Sequence, residues 1–175
     1  MENIAFGEGP RWRDGHLWFS DMHGQQVIKL APNGSHEIIL RLQDDQPSGL
    51  GWLPDGDLLI VSMQKRQVLR FDGKNLSVHA DLSPMASCHC NDMVVDALGR
   101  SYVGNFGFDL HNGAETEPGE LIRVDIDGSI HLMDNNLNFP NGTVITPDGN
   151  TLIIAETFAG TLTAYDIDAE GDLNN

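Results

Sequence analysis

A short sequence motif occurs four times along the chain, and this repeat limits the possible folds more than any other feature. Each copy has a short apolar segment, a turn centred on glycine and a second apolar segment. Three of the turns are Asp-Gly pairs, which favour a β-hairpin because glycine tolerates positive φ and the aspartate side chain bonds the turn backbone. The turn glycines, 41, 43 and 50 residues apart, are Gly15, Gly56, Gly99 and Gly149.

A second apolar motif follows each turn, and it begins 12, 12, 22 and 13 residues after the turn glycine in the four copies. The third copy therefore contains an insertion, which falls in residues 106–120. The first three copies add a further strand, and four short strands in a unit of roughly 40 to 45 residues is the period of a β-propeller blade. Apolar residues come in short runs broken by Gly, Pro, Asp and Asn, which is typical of strands and not of long helices. The sequence predicts an all-β chain.

We predict one propeller domain over residues 1–175, with blades at approximately 9–40, 49–81, 91–134 and 141–175. The fourth blade is expected to be incomplete, because the chain ends where its outer strand should begin. Fifteen strands are therefore expected. A propeller closes when its last blade packs against its first, so the sequence predicts a partial array of about four blades.

The charge of the chain excludes some partners. Ten Lys and Arg residues against 26 Asp and Glu residues give a formal net charge of −16. Binding to nucleic acid or to an anionic membrane surface needs cations, so we expect neither partner. No apolar run approaches the roughly 20 residues of a membrane span, and the first residues lack the pattern of a secretory signal. We expect a cytoplasmic protein, and the sequence leaves its oligomeric state open.

One residue in each copy is predicted to lie at the central channel of the propeller. The innermost strand of a blade lines the channel, so the residues just before that strand surround one opening. These residues are Glu8, Ser48, Asn91 and Asn141. Carboxylate and carboxamide oxygens are the donors that Ca²⁺ accepts. Asn and Ser also cap turns, but the equivalence of the positions favours a metal site.

Three motifs in the sequence resemble those of the SMP-30/gluconolactonase/LRE-like family, which is related to the paraoxonase-like calcium phosphotriesterases. The motifs are Glu8-Gly9-Pro10 followed by Trp12, Asn91-Asp92 followed by Gly99-Arg100, and Pro140-Asn141-Gly142 followed by Thr146-Pro147-Asp148-Gly149. The resemblance implies a propeller of the six-bladed type and a lactonase that acts on a small lactone or ester. It also implies one divalent metal ion, with Ca²⁺ first and Zn²⁺, Mg²⁺ or Mn²⁺ as alternatives.

The resemblance also assigns roles to particular residues. It implies that Glu8 and Asn141 coordinate the metal, and that Asn91 lies beside it and contacts the metal or the substrate. The family's fourth ligand, an Asp often proposed as the catalytic base, belongs to a later blade that this chain is expected to lack. Within the chain, the candidates for the base are Glu8 and Asp92. If the assignment is right, the oxygens of Glu8, Asn91 and Asn141 converge on one point.

His89 departs from the pattern of the sugar-lactone members, which place an Arg at this position to hold the substrate. We interpret His89 as a substrate contact or proton shuttle, with an ordinary turn residue as the alternative. Zinc binding by Cys88, His89 and Cys90 is disfavoured, because neighbouring side chains on an extended segment alternate in direction. The inserted loop brings Phe106 and Phe108, which are predicted to wall a substrate pocket unless the loop is a simple surface insertion.

These features together predict a divalent-metal-dependent hydrolase of a small cyclic ester. The cation would polarise the ester carbonyl while water attacks with help from a carboxylate base. Two alternatives use the same scaffold, since a fold alone does not define a function. One is a non-catalytic propeller that serves as a binding platform, which predicts no metal affinity at the channel. The other is a related metal-dependent phosphotriesterase.

Overall fold

A computed structural model describes residues 2–174, and the regular structure in this range is almost entirely β. Sixteen strands form four antiparallel sheets, each built from four consecutive strands. The all-β prediction and the four propeller-like blades are confirmed. The helical structure in this range is a single 3-10 turn at Leu110–Asn112, so no described helix has the length or apolar character needed to cross a bilayer.

The strands follow the order of the sequence copies. The first sheet contains β1 (Gly7–Arg13), β2 (His16–Asp21), β3 (Gln26–Leu30) and β4 (His36–Arg41). The second contains β5 (Pro47–Trp52), β6 (Leu58–Ser62), β7 (Gln67–Phe71) and β8 (Leu76–Asp81). The third contains β9 (Cys90–Val95), β10 (Ser101–Asn105), β11 (Gly119–Val124) and β12 (Ile130–Leu137). The fourth contains β13 (Pro140–Ile145), β14 (Thr151–Glu156), β15 (Thr161–Ile167) and β16 (Leu173–Asn174).

Strand β16 corrects the predicted count of fifteen strands. It pairs with the end of β15 and gives the fourth sheet a fourth strand. The strand was missed because only two residues pair, too few for a period-2 pattern. Contacts from the third blade hold the preceding segment: Arg123 Nη1 donates to Asp172 at 2.6 Å, and the Tyr102 hydroxyl donates to the Gly171 carbonyl at 2.9 Å.

The hairpin turns lie at the predicted glycines. Gly15, Gly56, Gly99 and Gly149 have φ values of 73°, 98°, 87° and 78°. In the first turn Asp14 also has a positive φ of 49°. Two central residues in the left-handed region make the two-residue turn that matches the twist of the flanking strands.

The core consists of apolar layers between adjacent sheets. Three clusters of buried side chains form these layers. One includes Val27, Leu50 and Ile60, another Leu59, Met93 and Val103, and a third Tyr102, Leu121 and Leu152. The inner strands β5 and β9 approach so closely that positions 49 and 51 of β5 favour glycine. A Cβ atom on Gly49 would lie 2.4 Å from the Met93 nitrogen, and one on Gly51 would lie 2.2 Å from Val95. This close packing sets the inner strands of the second and third blades side by side.

Candidate metal and substrate site

Each innermost strand carries a β-bulge at the predicted ring position, where two residues oppose one residue of the neighbouring strand. Ser48, Asn91 and Asn141 are each the first of the two residues that oppose one. Glu8 directly precedes the bulge of β1, so it aligns with Pro47 and not with Ser48, which corrects its predicted equivalence by one position. Bulges re-aim side chains and are enriched beside active sites.

The bulged segment of each blade contacts that of the next blade, and the segments 8–10, 47–49, 90–92 and 140–142 form the mouth of the array. The Ser48 hydroxyl lies 3.4 Å from Asn91 Oδ1, and Asn91 Nδ2 donates to the Pro140 carbonyl at 3.1 Å. Beside Glu8, a Cβ atom on Gly9 would lie 2.7 Å from the Ser48 carbonyl oxygen. The ring segments of successive blades are therefore neighbours in the structure, and the convergence of the Glu8, Asn91 and Asn141 oxygens on one point stays a prediction.

The three predicted metal ligands differ in burial. Asn91 is only 3% exposed, and its bond to Pro140 fixes the orientation of its amide. Glu8 and Asn141 are half-buried and reach solvent. The Asn141 amide nitrogen lies 3.5 Å from the Thr157 hydroxyl, and its oxygen accepts no hydrogen bond from residues 2–174. The site thus has a buried wall and an open side.

The carboxyl of Glu8 lies in an environment that disfavours its charge. Burial raises the pKa of Glu8, the nearby charge of Asp92 raises it further, and a hydrogen bond from the Gly9 backbone partly opposes both. Within residues 2–174, Glu8 forms no ion pair with Lys, Arg or His. A cation bound at this carboxylate would offset both effects.

Asp92, the second candidate for the base, is held in a buried network between blades. Its side chain is 6% exposed, and Arg11 Nη2 donates to Oδ1 at 2.9 Å and also to the Met93 carbonyl. The Thr143 N–H donates to Oδ2 at 3.3 Å. Burial raises the pKa of Asp92, although the charge of Arg11 lowers it. Because both oxygens have partners, the geometry favours a positioning role for Asp92.

His89 and Phe106 lie together on the side of the third blade. The Phe106 ring is buried and stacks on Phe139, with 4.5 Å between centroids. The His89 ring lies 6.2 Å from Phe106 and 5.5 Å from His111. Burial and the charge of His111 lower the pKa of His89, which disfavours the protonated ring, although the charges of Asp109 and Asp45 oppose this.

The donor set fits a hard cation and not a zinc centre. Among the residues described, no group of three or more His, Cys, Asp or Glu side chains is placed to hold a metal. Cys88 and Cys90 are free thiols, and burial raises the pKa of Cys90. The predicted set of Glu8, Asn91 and Asn141 offers one carboxylate and two amide oxygens. Such donors, completed by water, suit Ca²⁺.

Sequence reasoning missed a second set of polar residues, which hold the loops around the mouth. They are the last residues of β2, β10 and β14: Asp21, Asn105 and Glu156. Glu156 accepts a bond from the Asn138 N–H at 2.7 Å, and Asn105 accepts one from the Gly107 N–H at 2.8 Å. Their repeated place at the end of the second strand of a blade is the signal that could have identified them.

Four-stranded blades whose bulged inner strands meet at one mouth define this protein as a β-propeller. The chain belongs to the SMP-30/Gluconolactonase/LRE-like family, whose model matches residues 6–175. The family prediction is confirmed.

Two curated relatives are similar along nearly the whole chain. The pentonolactonase XacC of Haloferax volcanii is 28% identical over 172 residues, which cover 96% of this chain and 55% of that protein. The gluconolactonase of Zymomonas mobilis is 23% identical over 193 residues, covering 97% and 54%. The chain spans about half the length of the curated relatives it matches.

Solved structures share the fold. A gluconolactonase from Xanthomonas campestris matches with a TM-score of 0.77 at 24% identity, covering 97% of this chain and 60% of that one. A calcium-binding protein from Agrobacterium tumefaciens, regucalcin, matches with a TM-score of 0.78 at 23% identity, covering 98% and 57%. At these identities the likeness supports the fold alone.

Proposed function

We propose that this protein is a divalent-metal-dependent lactonase, which hydrolyses a small cyclic ester. Two relatives named as lactonases support the reaction class. The observation that carries the proposal is the environment of Glu8. Its half-buried carboxylate has a raised pKa, lies close to the buried Asp92 and has no cationic partner within residues 2–174. This environment supports Glu8 as a carboxylate ligand for a cation at the mouth, together with Asn91 and Asn141.

The metal proposed is Ca²⁺, held by Glu8, Asn91 and Asn141 with water completing the shell. Ca²⁺ accepts oxygen donors in a flexible geometry, which suits a set contributed by three blades. Zn²⁺ is favoured by nitrogen and sulfur donors, and Mg²⁺ demands a nearly ideal octahedron. The description of regucalcin as a calcium-binding protein supports the same choice.

When bound, the metal would supply an electrophile that polarises the ester carbonyl. Asn91 is positioned for this site by its bond to Pro140. Nδ1 of His89 is buried, so a contact between His89 and a substrate oxygen would use Nε2. Glu8 is the available carboxylate for the proton of the attacking water, because the oxygens of Asp92 are occupied by Arg11 and Thr143. In this scheme Asp92 keeps the inner strands in place.

Lactone hydrolysis is expected to require metal. Treatment with a chelator should reduce the rate to the uncatalysed level, and excess Ca²⁺ should restore it. The measurement is proton release from aldonolactones and small aliphatic lactones, with calcium-saturated chelator as the control. Hydrolysis that is insensitive to the chelator would contradict the proposal. Metal binding without turnover of any ester would favour the binding platform, and turnover of phosphotriesters alone would favour the phosphotriesterase.

A further inference from the structure

Four phenylalanine rings from three separate segments form one aromatic cluster at the mouth. Phe106 and Phe108 come from the inserted loop, Phe139 from the link between β12 and β13, and Phe158 from the turn between β14 and β15. Phe139 lies at the centre, with ring centroids 4.5 Å from Phe106, 6.0 Å from Phe108 and 4.7 Å from Phe158. Rings at these separations attract one another beyond the burial of their area.

The aromatic cluster borders the candidate metal site. Phe139 lies two residues before Asn141, and Phe158 directly follows Thr157, whose hydroxyl is 3.5 Å from the Asn141 amide. Phe139 also has a φ of 59°, a left-handed conformation that bulky residues rarely adopt. The Thr157 N–H holds it by donating to the Phe139 carbonyl at 3.0 Å. Strain of this kind is concentrated at functional sites, where it presents a particular side chain.

One ring of the aromatic cluster remains open to solvent. Phe106, Phe108 and Phe139 are buried, whereas Phe158 is 53% exposed. An open cavity of about 240 Å³ lies against it, lined by Phe108, Thr116, Glu117, Pro118, Asn138, Phe139 and Phe158. A site for a whole drug-sized ligand occupies roughly 300 to 1,000 Å³. The cavity therefore suits one substituent, such as a single ring or a short alkyl chain, and not a complete ligand.

The polar residues that line the cavity, Thr116, Glu117 and Asn138, are themselves exposed to solvent. On the other side of the aromatic cluster, the His89 ring lies 6.2 Å from Phe106, and its Nδ1 is buried, which leaves one ring nitrogen for a ligand. A sugar with several hydroxyl groups needs more donors and acceptors than one imidazole nitrogen provides. The aromatic cluster instead offers apolar surface beside the cavity.

We propose that the aromatic cluster determines specificity by receiving an apolar group of the substrate, so that the site prefers aryl- or alkyl-substituted lactones over polyhydroxylated sugar lactones. This inference rests on the proposed lactonase function. In this arrangement the lactone ring faces Glu8, Asn91 and Asn141, and the apolar substituent lies against Phe158 and Phe139.

The test compares kcat/KM for a phenyl-substituted γ-lactone, unsubstituted γ-butyrolactone and gluconolactone. The phenyl-substituted lactone should be the best substrate. Phe158→Ser should reduce the ratio of kcat/KM for the phenyl-substituted over the unsubstituted lactone about tenfold, the effect of losing the contact of one ring. Phe158→Leu should restore most of this ratio. Leu98→Ser is the control, because Leu98 is 62% exposed in the turn at the other end of β9 and should leave the ratio unchanged.

A preference for gluconolactone, or an equal effect of Phe158→Ser on both γ-lactones, would overturn the inference while leaving the lactonase function intact. If no lactone is hydrolysed, the proposed function fails, and binding still tests the aromatic cluster. The dissociation constant for the phenyl-substituted lactone, measured by NMR titration, should then rise about tenfold in Phe158→Ser and stay constant in Leu98→Ser. Equal affinity in both variants would refute the aromatic cluster as a binding surface.

Discussion

The variant Glu8→Gln is expected to bind Ca²⁺ about 10- to 100-fold more weakly than the unaltered protein. Metal affinity falls by this much even when a residue that only hydrogen-bonds to a metal ligand is replaced. Glu8 is the one carboxylate in the proposed ligand set, so its replacement removes the negative charge while keeping the size of the side chain. Ca²⁺ affinity depends on the number of charged ligands. Lactone hydrolysis should fall as well, because the metal is the proposed electrophile and Glu8 is also the proposed base, a role that is lost even at saturating metal.

Isothermal titration with Ca²⁺ and lactone assays at saturating metal would measure these effects separately. Asn141→Ser should weaken binding less, since it keeps an oxygen donor and changes no charge. Glu37→Gln makes the same chemical change on the exposed outer strand β4 and should have no effect on either quantity. If Glu8→Gln binds Ca²⁺ as tightly as Glu37→Gln, the proposed ligand set is wrong.

The variant Arg11→Met is expected to lower the free energy of unfolding by about 3 kcal/mol or more. Arg11 on β1 reaches Asp92 on β9, and the side chains are 22% and 6% exposed. Methionine keeps much of the length but removes the charge, which leaves the carboxylate of Asp92 buried without its partner. Uncompensated buried charges are costly because the protein interior does not replace the lost hydration.

Urea unfolding of the single and double variants would separate charge from packing. Adding Asp92→Asn to Arg11→Met should recover most of the loss, because an amide oxygen still accepts the bond from Thr143 and carries no charge. Arg41→Met is the control, since Arg41 is exposed on the outer strand β4 and forms no ion pair within residues 2–174. A loss for Arg11→Met no larger than for Arg41→Met would show that Arg11 and Asp92 do not stabilise the fold as a pair.

The repeat explains why much of the fold could be predicted from the sequence. Each blade is specified by local signals, namely apolar strands and turn glycines, and their period identifies the architecture. The same period led to Asn91 and Asn141, which share one structural place. Strand β16 was missed because its pairing involves two residues whose side chains carry no pattern.

The parts of the site that could not be predicted depend on distant contacts. Arg11 and Asp92 are 81 residues apart, and nothing in either local sequence indicates that they pair. The position of each bulge depends on how the inner strand pairs with the second strand of its blade. This pairing places Glu8 one position before the residue equivalent to Ser48, Asn91 and Asn141. The aromatic cluster likewise forms only when three loops meet, so Phe139 and Phe158 carried no signal of their own.

Diffraction from crystals grown with Mn²⁺ in place of Ca²⁺ tests the central claim most directly, because the anomalous signal of Mn²⁺ locates the metal without reference to activity. We predict one peak at the mouth of the channel, with side-chain oxygens of Glu8, Asn91 and Asn141 within about 2.6 Å of it. The peak should be lost from crystals of Glu8→Gln. A peak bound by other residues, or none in the unaltered protein at saturating Mn²⁺, would contradict the metal site and the lactonase mechanism based on it.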